Sequence, residues 1–124
     1  MKIVTVEEMR AIEREAAKAG LPSEILMENA GLAVAWHTRK WLGSVLGRHI
    51  LVLVGPGNNG GDGLVVARHL QDWGAHVTVY VPSRRAESDV NLQLCRQREI
   101  EFLEGAATLD SAVSYTHLRA HETA

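Results

Sequence analysis

Apolar residues first recur along the chain at three- and four-residue steps. Val6, Met9, Ile12, Ala16 and Ala19 fall on one face of an amphipathic helix. Thr5 and Glu8 ahead of that face have capping-box spacing. Gly20 and the Leu21-Pro22-Ser23 step interrupt the pattern. A second helical period runs over 23–42, with Leu26, Ala30, Ala33, Val34, His37 and Trp41 roughly on one face, and Gly43 and Gly47 close it. The period then changes. His49 to Val54 reads HILVLV, a continuous apolar run of the kind carried by a strand buried on both faces. Leu64 to Trp73 is helical again and Gly74 stops it. Val77, Val79 and Val81 alternate with Thr78 and Tyr80 as a second strand, ended by Pro82. Ala86 to about Arg98 is a polar helix carrying Val90, Leu92, Leu94 and Cys95, and Ile100 to Leu103 is a weaker third strand. The order α, α, β-loop-α-β-α-β predicts an α/β fold: half of a doubly wound parallel sheet with an N-terminal two-helix arm.

Composition narrows the function classes. Of the 124 residues, 46% are hydrophobic and 23% charged, ordinary values for a soluble globular domain. A formal net charge of −2 gives no support for a nucleic-acid or polybasic membrane surface. A single cysteine, Cys95, excludes an internal disulfide and suits a reducing compartment. The opening MKIVTVEEMRAIE turns acidic too early for a signal peptide, and no run is long enough to cross a bilayer. These features together predict a soluble, cytoplasmic domain.

The chemistry concentrates between the first strand and the helix after it. Residues 55–63 read GPGNNGGDG, five glycines in nine positions. A tight turn from strand to helix usually needs only one or two, so the excess points to a ligand lying against the backbone. The first six residues match G-x-G-x-x-G in the strand-to-helix context that a dinucleotide fingerprint requires, and amides at the helix start favour an anionic group. The acidic residue that usually holds the ribose is missing. The second strand runs into Ser83, Arg84 and Arg85, and that arginine pair reads as solvated surface. Asn58 and Asn59 offer amide donors and carbonyl acceptors. Asp62 is placed either to cap the next helix or to accept from ligand hydroxyls, nearer sugar or ring than phosphate.

The segment GPGNNGGDGLVVARHL, residues 55–70, resembles the signature of the YjeF N-terminal domain family, the NAD(P)H-hydrate (NAD(P)HX) epimerases. The stretch VTVEEMRAIEREAAKAGLPSEILMENAG resembles that family's opening helices, and MENAG, residues 27–31, is its most characteristic part. The resemblance implies a three-layer α/β/α Rossmann-like fold, of which this chain is a fragment, with residues 1–113 a partial domain. It implies interconversion of the R and S forms of NADHX and NADPHX, cofactors damaged by hydration of the nicotinamide ring. It implies a potassium ion, a homodimer in the intact parent, and in many bacteria a fused ADP- or ATP-dependent dehydratase. By position, Asn58, Asn59, Gly60, Gly61 and Asp62 would line the substrate, and Asn59 would give an oxygen to potassium. A second substrate loop, an Asp followed by Gly-Thr-Gly, and the later aspartate near the reacting ring are expected beyond Val113, so the catalytic acid and base are not assigned within this chain.

Other residues carry blander readings. Glu28 and Asn29 are expected to make a polar contact to the loop or to a partner subunit. His37, Trp36 and Trp41 are expected in core or dimer contacts, and Cys95 has no histidine near it in sequence to make a catalytic thiol. Residues 114–124 break the apolar pattern and resemble a translated adapter read, so a non-native tail is expected, in which His117 and His121 have no role. Two alternatives remain open: a kinase of the NAD-kinase type, which shares GGDG but usually follows it with threonine where this chain has Leu64, and a non-catalytic nucleotide-binding or scaffold module.

Overall fold

A computed structural model describes residues 22–55, 58–82 and 87–104, with single positions at 11, 14, 15, 18, 20, 110, 111, 113 and 114; at 58–60 the description is of the backbone. Helix α1 spans Ser23–Leu42, β1 His49–Leu53, α2 Asn58–Asp72, β2 His76–Val81, α3 Val90–Gln97 and β3 Glu101–Glu104. The three strands form a parallel sheet in the order β1-β2-β3, in register His49↔His76 and Thr78↔Glu101. This is the α/β half-sheet that the change of period predicts. The helix expected over Val6–Ala19 lies largely outside the described residues. Within it Ala11, Arg14, Glu15 and Lys18 are helical and exposed, the polar face of the pattern. Arg84, Arg85, His117 and His121 also lie outside the described residues.

The core sits on one face of the sheet. Val77, Val79 and Val81 of β2, with Ile50, Val52 and Val54 of the β1 segment, meet Leu64, Ala67 and Leu70 of α2 and Leu92 and Cys95 of α3. Leu64, Leu70 and Val79 are essentially inaccessible. Each buried side chain of this size contributes roughly 1.5–3 kcal/mol of transfer free energy. One side-chain and one backbone bond tie the bottom of the layers: Gln71 Oε1 accepts from the Val77 amide at 2.9 Å, and His76 N–H donates to Arg48 O at 2.7 Å.

Two expectations are corrected by this arrangement. The apolar run of β1 is not a strand buried on both faces. Among the described residues β1 is an edge strand, half-buried over His49–Val52, with Leu53 exposed; the alternating β2 is the buried central strand. Position in the sheet, not the length of the apolar run, decides burial. On α1 the buried residues are Leu26, Ala30, Gly31 and Ala35, whereas Trp36, His37 and Trp41 are exposed. Leu26 and Ala30 are buried as expected and Val34 packs against the core, but Gly31 and Ala35, small enough to let the helices approach closely, complete the contact in place of His37 and Trp41. The far end of α1 behaves as expected: Gly43 takes φ 82°, a positive value that glycine adopts at low cost.

Candidate functional site

The chain leaves β1 through Val54 and Gly55 and is helical again by Asn58. The expected start of α2 at Leu64 is therefore late by two turns, because Asn58, Asn59, Gly60, Gly61 and Asp62 are themselves helical. Asp62 is not the cap. It is the fifth residue of α2 and fully buried. Asn58, Asn59 and Gly60 supply the first turn, whose amides have no partner within the helix and point past the C-terminal edge of the sheet. In open α/β sheets that edge is where ligands bind. An anionic group there meets the positive end of the helix dipole.

The glycines are explained by packing as much as by ligand approach. A Cβ on Gly61 would lie 2.7 Å from Met27 Sδ, so the α1 methionine occupies the space a side chain would take. The same sulfur accepts from Asn91 Nδ2 at 3.2 Å, which ties the start of α3 to this point. One turn along α1, Gly31 lies so close to α2 that a Cβ would collide with the Val65 side chain and come within 3.2 Å of the Asp62 carbonyl. Glu28 completes the seam. One carboxylate oxygen pairs with Arg68, and the other accepts from His69 Nε2 at 2.8 Å. MENAG and GGDGLVVARH are thus two halves of one contact, and the expected bond from Glu28 reaches α2 beyond the loop. Asn29 is exposed. Arg68, His69 and Asn91 were missed in the sequence; a charged pair on an otherwise apolar helix was the available signal for the first two, and nothing local marks Asn91.

Among the described residues the surroundings hold no second centre of comparable chemistry. Cys95 is buried, its thiol donates to Leu64 O at 3.2 Å, and burial pushes its pKa up to about 11 against the pull of Arg68 and Arg98. A thiol held neutral in this way is a poor nucleophile. A groove of about 520 Å³ runs between α1 and α3 over Val65, floored by Met27 and Leu94 and edged by Glu28 and Asn91. At the opposite edge of the sheet His49 and His76 stack at 5.0 Å beside a space of about 120 Å³ that Glu99 and Glu101 also line. Among the described residues no group of three or more His, Cys, Asp or Glu side chains is arranged to hold a metal. No helix among them is long and apolar enough to cross a membrane.

A parallel sheet whose first strand leads into a glycine-rich helix start, with a helix docked against it, defines an α/β domain. Residues 23–116 match the family described as YjeF-related protein N-terminus, and the chain belongs to that family. It is 46% identical over 100 residues to the bifunctional NAD(P)H-hydrate repair enzyme Nnr of Moorella thermoacetica, covering 76% of this chain and 19% of that one. It is 40% identical over 117 residues to the NAD(P)H-hydrate epimerase of Fusarium vanettenii, covering 94% of this chain and 49% of the relative. In structure it is similar to yeast ynu0, YNL200c, with a TM-score of 0.62 and 32% identity, over 84% of this chain and 47% of the yeast protein. The chain thus spans about half the length of the monofunctional relative and of the yeast structure, and a fifth of the bifunctional one.

Proposed function

We propose that this chain is part of an isomerase that interconverts the R and S forms of NAD(P)H hydrate in metabolite repair. The observation that carries the reading is the docking of MENAG onto the glycine-rich start of α2, which presents first-turn amides at the C-terminal edge of the sheet. The names of relatives at 40% and 46% identity support it. In this reading Asn58, Asn59, Gly60, Gly61 and Asp62 form the substrate-facing segment, with the dinucleotide phosphate at the helix start. The hydrated ring carbon bears a hydroxyl beside a ring nitrogen. Loss of that hydroxyl leaves a nitrogen-stabilised cation, and water returns to the other face, which needs an acid and a base. The position of Asp62 inside α2 suits positioning of the loop better than proton transfer.

The Asn59 amide oxygen is a neutral hard donor of the kind an alkali cation takes, so the segment fits potassium in kind. It supplies one ligand, and the remaining donors belong to other residues. When bound, the cation would supply positive charge beside the substrate. A homodimer, a fused dehydratase and a cytoplasmic location complete the proposal.

The test is an epimerase assay on the intact protein with thermal-shift titration of NADPHX, NADP and ATP. The expected result is a preference for NADPHX, with activity falling when sodium replaces potassium. A shift with ATP alone would favour the kinase reading, and no shift with any of the three would favour a scaffold. In Asp62→Asn, binding and turnover are expected to fall together. Lost turnover with unchanged binding would make Asp62 the proton-transfer group instead.

A further inference from the structure

The seam between α1 and α2 contains contacts of unequal stiffness. Met27 touches Gly61 through a flexible thioether with three rotatable bonds, which adapts to many relative positions of the helices. Gly31 against Val65 sets how closely the helices approach, but a single apolar contact leaves rotation about it open. Glu28 is different. Its two oxygens meet two consecutive α2 residues, Arg68 and His69, of which Arg68 is buried and His69 largely so. The Arg68 side chain is largely buried while that of Glu28 is 40% exposed, so the bridge is directional in geometry, and losing the carboxylate takes the counter-charge from a buried guanidinium.

We propose that Glu28 is a positioning residue for the segment Asn58–Asp62: by bridging Arg68 and His69 it fixes the rotation of α1 on α2, and so fixes the seat of Met27 against Gly61. The inference rests on the reading of that segment as the substrate loop. The described bonds of Glu28 go to Arg68 and His69. These lie six and seven residues past the end of the segment, and Met27, the neighbour of Glu28, delivers the effect at Gly61. Without the bridge, Met27 still packs, but the first turn of α2 loses a fixed wall.

The test compares amide hydrogen exchange in a peptide covering residues 58–64 with one covering 77–81 of β2, in wild type, Glu28→Gln and Glu28→Asp. Glu28→Gln is expected to speed exchange about tenfold in 58–64 and less than twofold in 77–81. Glu28→Asp keeps the charge and is expected to restore part of the protection. In a His69→Gln background the Glu28→Gln step is expected to have a smaller effect, because both act through one bridge. An equal rise in both peptides would make Glu28 a general stability residue and overturn the proposal. No change in 58–64 would overturn it as well. Should Glu28→Gln fail to fold, Glu28→Asp carries the same comparison. NADPHX binding is measured on the same samples: a wild type that does not bind sinks the substrate reading, while the exchange data still decide whether Glu28 positions the segment.

Discussion

Cys95 shows how a single residue can tie the fold to pH without entering the chemistry. Its thiol titrates at about 11 in the folded chain against an ordinary 9.0, with burial as the main cause. The folded state therefore favours the neutral thiol. That contribution is complete below about pH 9 and is lost as pH rises through about 11; it is on the order of 2 kcal/mol. Between those limits the denaturant midpoint of the wild type should fall more steeply than that of Cys95→Ala. Parallel curves would show that the thiol does not carry the effect. Glu99 makes an opposite case, a residue placed at a local cost. It sits at φ 56° just past α3, where its amide donates to Arg96 O at 3.0 Å and that of Ile100 to Cys95 O at 3.3 Å. Glycine is the usual residue in that conformation. Glu99→Gly should raise stability by about 0.5–1 kcal/mol, read from the denaturant midpoint.

Among the elements, α1 and α2 show where sequence reading succeeds and where it stops. The bounds of α1 are legible because Pro22 and Gly43 punctuate a long period. The start of α2 is not, because three glycines lower local helix propensity and only tertiary contact explains them. Gly61 makes room for Met27 and Gly31 makes room for Val65, and neither partner is near in sequence. Part of the buried face of α1 is hidden for the same reason, since glycine and alanine carry little hydrophobic signal. Gly31→Ala should therefore cost about 1–3 kcal/mol, as overpacking does. The double variant Gly31→Ala/Val65→Ala should be less destabilised than the sum of the single changes, and strict additivity would count against the contact. For α3 the expected start at Ala86 is early: the helix begins at Val90, and its cap, Asp89, is a local signal that the apolar pattern alone does not weigh. Asp89 Oδ1 accepts from the amides of Asn91 at 2.9 Å and Leu92 at 3.2 Å, and Asp89→Ala should cost about 1 kcal/mol of thermal or denaturant stability.

On the scale of the whole molecule, the three parallel strands leave β1 at the border of the described sheet, with Leu53 about half exposed at 54%. Exposed apolar edges invite pairing with other chains. Leu53→Lys in the 124-residue chain should lower self-association in sedimentation with little change in unfolding midpoint. The parallel topology was legible from the alternation of periods, but which strand lies at the centre was not, because burial of a strand depends on its neighbours. The seam between α1 and α2 has a consequence for descent as well as for folding. MENAG and GGDGLVVARH are separated in the chain yet share one surface, so neither can drift alone. A lineage that gains a side chain at position 31 has to surrender volume at position 65. One that loses the carboxylate at 28 has to lose the buried guanidinium at 68 too. The two stretches constrain each other as one packing unit, written in two places.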